Sequence, residues 1–285
     1  MKFFTTLNLP SLGKSVKIYE LKYEDYINAQ KFLQNNRNDD IEYCIEQVLM
    51  LALGEAYADL DLSCIDKLMI ILMHQIISVR GVVEFTIKQD DGIVIHKIDL
   101  LVLLNKLINS HIKYKDILLV DNVEYTLTIS PLFKASSMIE HAYNTLSSIK
   151  YPNGVIVRVK ELTPSEKEKL LEYIPATVVR HLYEFSRESE ETINTITVNL
   201  PLSEESTHLS SCNGVILEII KLICKSNLGD VYRKMYSLSS GPGILVSDTM
   251  QLTPVEVDLL YSFLEQEVKE MENSNKSTGR QHGSN

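Results

Sequence analysis

One segment constrains the fold more than any other. From Cys64 to Ile77, apolar residues cover every side of a helical wheel: Ile65, Leu68, Met69, Leu72 and Ile76 form one stripe, and Ile70, Met73 and Ile77 lie opposite. A helix that is apolar all round has to be covered all round. The rest of the chain must therefore fold about it. Ser63, with Asp66 three residues on, supplies a start signal of the capping-box kind. A chain of 285 residues can hide roughly 75% of the surface its unfolded form exposes, so the cover is available without disulfides or a metal.

What surrounds that helix alternates between hairpins and further helices. Leu7, Leu9, Val16 and Ile18 flank the turn signal Pro10-Ser11-Leu12-Gly13. Helical spacing follows over about 23–35 and 40–57. Val83, Phe85 and Ile87 alternate with polar residues up to a turn at Asp91-Gly92, and Ile93 and Ile95 begin the return strand. A short Leu-rich helix is predicted over 99–108, and a second hairpin over 116–120 and 123–129 joined by Asp121-Asn122. A helix over 135–149 closes this half, and Tyr151-Pro152-Asn153-Gly154 interrupts both periodicities.

The second half reads as a strand over 155–160, helices over 164–174 and 176–188, a strand over 193–199, and helices over 213–226 and 229–237. The Gly241-Pro242-Gly243 turn, a strand over 244–246 and a last helix to about 271 complete it. Leu162-Thr163-Pro164-Ser165-Glu166 and Leu252-Thr253-Pro254-Val255-Glu256 repeat one helix-start pattern, with Thr as cap, Pro in the first turn and Glu three after the cap. Hairpins among helices without repeated β-α-β units predict an α+β fold. We expect an N-terminal lobe over 1–150, a helix-rich C-terminal lobe over 151–272, and a disordered tail over 273–285 of Ser, Asn, Lys, Gly and Gln.

Charge and motif chemistry narrow the function classes. The net charge of −10 repels nucleic acid unless a basic stripe compensates, and Lys221 with Lys225 and Arg233 with Lys234 are only pairs. Cys44, Cys64, Cys212 and Cys224 lack C-x-x-C spacing, and the seven histidines lack any zinc-site pattern. They read as reduced thiols and scattered imidazoles, with no cofactor or metal expected. Gly13-Lys14-Ser15 is no phosphate loop, because Asn8 stands where the first glycine belongs and a strand follows in place of a helix. Asp90-Asp91-Gly92 is no calcium loop, because Ile98 stands where the closing glutamate belongs. No G-x-S-x-G elbow is present. The N-terminus lacks a signal-peptide core, and no apolar run reaches the roughly 18 residues that span a bilayer, so synthesis in the cytosol and no membrane partner are expected. Tyr232-Arg233-Lys234-Met235-Tyr236 carries residue types enriched at protein interfaces. Tyr232, Arg233, Met235, Tyr236 and the nearby Pro242 are the candidate partner contacts. The competing reading buries Tyr232 and Tyr236, one turn apart, in the protein's own core.

Four stretches together resemble the baseplate hub and hub-assembly proteins of T-even-type bacteriophages with contractile tails. They are Leu9-Pro10-Ser11-Leu12-Gly13-Lys14-Ser15-Val16; Asp66-Lys67-Leu68 through Ser78-Val79-Arg80-Gly81-Val82-Val83-Glu84-Phe85; Leu222-Ile223-Cys224-Lys225-Ser226-Asn227-Leu228-Gly229-Asp230-Val231-Tyr232; and Leu252-Thr253-Pro254-Val255-Glu256. Their order spans most of residues 5–270. The resemblance implies no catalytic residues. It implies other hub and tail proteins as partners, in the host cytoplasm during assembly or in the finished virion. Homo-oligomerisation is not addressed by it. Two other readings stay open from sequence: an enzyme with a site of dispersed residues, which would show a deep polar pocket with convergent acids and bases, and a nucleic-acid-associated factor, which would show a continuous basic stripe.

Overall fold

Ser63 and Asp66 form the capping box their spacing predicts. Ser63 N–H donates to Asp66 Oδ2 (2.8 Å) and Asp66 N–H donates back to Ser63 Oγ (3.2 Å), opening α3 (Cys64–Ser78). In the computed structural model, which describes residues 3–35, 41–89, 92–130, 138–197, 220 and 228–281, α3 is the centre of the molecule. Ile65 and every residue from Leu68 to Leu72 are fully buried.

The cover comes from both ends of the chain. β1 (Phe4–Leu9) and β2 (Lys14–Tyr19) pair antiparallel and turn Leu7, Leu9, Val16 and Ile18 inward, with Gly13 at φ 60° in the connecting turn. Ser11 in that turn donates to the Asp66 carboxylate and ties the hairpin to the start of α3. α1 (Tyr23–Asn35) and α2 (Ile41–Leu53) follow, and a 3-10 turn over Gly54–Asp59 ends α2. β3 (Val82–Gln89) and β4 (Gly92–Asp99) form a second two-stranded sheet. Gly92 pairs with Gln89, so it opens β4 and does not sit in the turn as expected; Asp90 and Asp91 lie outside the described residues. Asp99 caps α4 (Leu100–Ile108) by accepting from Leu101 N and Val102 N.

The third sheet is four-stranded, in the order β5 (Lys115–Val120), β6 (Val123–Thr128), β7 (Leu146–Lys150), β8 (Ile156–Arg158), with every neighbour antiparallel. Asp121 and Asn122, at φ 51° and 63°, make the two-residue β5–β6 turn that matches strand twist. The helix predicted over 135–149 stops early: α5 spans Met138–Thr145, and Leu146–Lys150 is β7. Pairing with β6 buries Leu146 and Ile149 on the sheet, which outweighs a weak helical preference. Tyr151-Pro152-Asn153-Gly154, expected to divide two lobes, makes the β7–β8 connection; Gly154 N–H donates to Tyr151 O and Tyr151 N–H to Val155 O.

A 3-10 turn (Val159–Glu161) leads to α6 (Pro164–Tyr173) and α7 (Ala176–Thr197). The strand expected over 193–199 is helix as far as Thr197, a β-branched stretch carried along by the helix before it. Of the helix predicted over 213–226, Ile220 alone is described; it is buried. α8 (Leu228–Ser240), α9 (Val246–Thr249) and α10 (Pro254–Gln281) complete the chain. The strand expected over 244–246 is absent there; Val246 instead begins α9. α10 passes the expected end at 271 and runs to Gln281, since elongating a nucleated helix costs little; residues 282–285 lie outside the described residues.

These last helices are built into the same core. One apolar cluster extends from Leu7 to Val257. The first amides of α1, which no helix can satisfy internally, donate to the C-terminal segment: Tyr23 N–H to Leu252 O (2.7 Å) and Glu24 N–H to Met250 O (3.3 Å). The architecture is an α+β fold of helices and antiparallel sheets.

Candidate partner-binding surfaces

α8 presents two faces. Val231, Met235 and Leu238 point inward. Tyr232, Arg233 and Tyr236 point outward, with Tyr236 73% exposed, and Lys31 Nζ of α1 lies 5.8 Å from the Tyr232 ring centre. The tyrosines are therefore surface residues, and burying them in the protein's own core is the reading that fails. Met235 is the converse case: at 7% exposure it is a core residue and not a partner contact. Pro242 is exposed in the turn after α8. That turn lies tight against α10. A Cβ on Gly241 would meet Ser237 O at 3.1 Å and Leu264 Cδ1 at 3.2 Å, so glycine alone fits there without displacement.

α10 carries an apolar surface that sequence reading missed. Val257 is buried, and Leu260 and Leu264 pack on the core. Val255, Leu259 and Phe263, spaced by four, face solvent from the other side, Phe263 at 55% exposure. Further on, Val268 and Met271 continue the inward stripe past the body and are exposed. The signal was present in the sequence as a helix with two apolar faces.

A cleft of about 460 Å³ opens where the β1–β2 turn, the Asp61–Ser63 segment, the four-stranded sheet, α5 and α6 meet. Among the described residues its charged lining is Lys115, Arg158, Lys160 and Lys167 against a single carboxylate, Asp61. Asp61 Oδ2 accepts from Lys160 Nζ at 2.7 Å, and Arg158 Nη1 pairs with Glu161 at 3.1 Å. Lys115 and Lys167 form no ion pair among the described residues. Behind the wall, Asp66 is fully buried and takes the hydrogen bonds of Ser11 and Ser63; burial pushes its pKa up, and those bonds only partly offset the rise. Among the described residues, neither His, Cys nor Glu lines the cleft.

Outside the cleft, His74, His181 and Asp116 are engaged in the fold. His74 in α3 is buried, its Nδ1 at 2.7 Å from Tyr19 O. His181 Nε2 in α7 lies 2.9 Å from Asp116 Oδ2 in β5. Partial burial raises the Asp116 pKa, but hydrogen bonds from Lys113 and His181 outweigh it and hold the carboxyl below its usual value. Among the described residues no three His, Cys, Asp or Glu converge as metal ligands, and Cys64 is a buried free thiol. Among them, too, no helix is long and apolar enough to cross a membrane.

Exposed apolar helix faces beside a buried core are surfaces that another protein can cover. Residues 1–216 match the family described as T4 bacteriophage base plate protein. The chain belongs to that family. It is a phage baseplate protein, and the resemblance read from its sequence holds at that level. No curated protein and no solved structure matches it. The family match ends at residue 216, so α8, α9 and α10 of this baseplate protein, with their exposed Tyr232, Tyr236, Leu259 and Phe263, lie beyond it.

Proposed function

We propose that this baseplate protein is a component or assembly factor of the central hub and acts without catalysis, by binding other hub and tail proteins in the host cytoplasm. The observation that carries this reading is α10, a helix with apolar side chains on two faces and cover for only one. A specific partner typically buries about 800 Å² on each side, with aromatic and aliphatic anchors at the centre. Phe263, Leu259 and Tyr236 supply such anchors. Tyr232, Arg233 and Pro242 are further exposed residues, on α8 and the turn after it. Deleting the gene from its phage is expected to leave heads normal and tails without baseplates in electron micrographs. Contractile baseplates forming in that deletion, together with purified protein that captures no hub component, would remove the reading.

A further inference from the structure

The cleft beside α6 calls for an explanation of its charge. The chain as a whole carries −10, yet among the described residues this cleft gathers four basic side chains and one carboxylate. They come from distant parts of the sequence: Lys115 from β5, Arg158 and Lys160 from β8 and the turn after it, Lys167 from α6. Asp61 answers Lys160, and Glu161 answers Arg158 from outside the lining, but nothing described answers Lys115 or Lys167. Between them the wall offers Ser147, Ser148 and Thr128 of β6 and β7, short side chains that can donate to an anion. Two unanswered cations held in one concavity, in a field that elsewhere repels anions, form an anion receptor.

We propose that this cleft receives an acidic polypeptide segment, Asp- or Glu-bearing, of another baseplate protein, with its carboxylates on Lys115 and Lys167. This rests on the reading that the chain works by binding tail proteins. A peptide suits the site better than nucleic acid does. Among the described residues the basic side chains of this cleft converge on one concavity and do not extend as a stripe, and a phosphate backbone crossing an acidic surface would be repelled. Peptide carboxylates need only reach the cleft itself, where charge-assisted hydrogen bonds are at their strongest.

The test uses the full chain and a fluorescein-labelled decaglutamate peptide, read by fluorescence anisotropy. Binding is expected at about 50 mM salt and is expected to fade by about 500 mM. Lys115→Glu with Lys167→Glu is expected to weaken it at least about tenfold. Lys269→Glu, on exposed α10 far along the chain, is expected to leave it unchanged. If the double reversal fails to fold, Lys115→Gln with Lys167→Gln serves, with a smaller loss in the same direction. The proposal is overturned if decaglutamate does not bind, if Lys269→Glu weakens binding as much, or if a deoxythymidine decamer or inorganic phosphate binds more tightly at this site. The gene-deletion phenotype reports separately on the hub reading, so either can fail without the other.

Discussion

α3 and α10 are both apolar on more than one face, and the protein treats them differently. α3 lies between the β1–β2 hairpin, α2 and α4, and its residues from Leu68 to Leu72 are inaccessible. α10 rests on α8 and α1 with one side, leaving Val255, Leu259 and Phe263 in solvent. The amino-acid pattern already separates them in part: α3 is apolar on every side, whereas α10 mixes its two apolar faces with many Glu and other polar residues. The difference is the packing: the β1–β2 hairpin, α2 and α4 enclose α3, whereas among the described residues α10 meets α8 and α1 along one side. An apolar face that stays exposed is available to another chain.

The sharpest way to break this comparison is to truncate one side chain in each helix. Leu68→Ala leaves a cavity in a region without slack and is expected to cost about 3 kcal/mol in urea unfolding. Phe263→Ala removes a larger side chain but little burial, and is expected to change stability by less than about 0.5 kcal/mol while weakening capture of hub proteins. Equal losses in the two variants would mean that α10 is covered after all.

The start of α3 provides the next largest effect. Asp66 caps the helix and holds Ser11 of the first hairpin, so Asp66→Ala is expected to cost about 2 kcal/mol. The same carboxyl has a pH signature. Its folded pKa is raised above 3.8. Between 3.8 and that raised value, the folded chain keeps a proton that the unfolded chain has released. Stability from this group is therefore largest at the acid end and falls as pH rises through the window. Asp66→Asn cannot titrate, so wild-type stability minus that of the variant should decline with rising pH. A difference that grows with pH would show that the fold prefers the carboxylate.

What could be read from sequence follows the range of the interactions. The Ser63–Asp66 box, the Asp121-Asn122 turn and the Leu-rich α4 are local: the residues that decide them lie within a few positions of one another, and all stand where they were expected. β7 was misread because its strand character comes from β6, about twenty residues away and across a turn of the fold. Met235 is buried with Val231 and Leu238, at helical spacing of four and three on the inner face of α8, a stripe that the grouping with Tyr232 and Tyr236 passed over. The cleft was invisible because Lys115 and Lys167 become neighbours only through the sheet and α6. The resemblance to the baseplate family lies in the order of four stretches along the chain and not in any chemical motif.

The two Leu-Thr-Pro-x-Glu boxes offer the smallest effect and the most controlled comparison. Both form completely. Thr163 N–H and Thr253 N–H donate to Glu166 Oε2 (2.8 Å) and Glu256 Oε2 (2.7 Å), and each glutamate amide donates back to its threonine hydroxyl, at 3.4 and 3.3 Å. The chemistry is the same, and only the setting differs. Thr163 is exposed at the start of α6, whereas Thr253 is 5% exposed at the start of α10. The residue before Thr253 also supplies the carbonyl that receives Tyr23 N–H of α1. Removing the hydroxyl at Thr253 leaves an orphan amide where water reaches poorly, and it loosens the carbonyl that satisfies another helix. Thr253→Ala is expected to cost about 1 kcal/mol and to raise hydrogen exchange in the first turn of α1. Thr163→Ala is expected to cost less and to leave α1 untouched. If hydrogen exchange of α1 is the same in both variants, the end of the chain does not stabilise its beginning in the way the Tyr23–Leu252 contact implies.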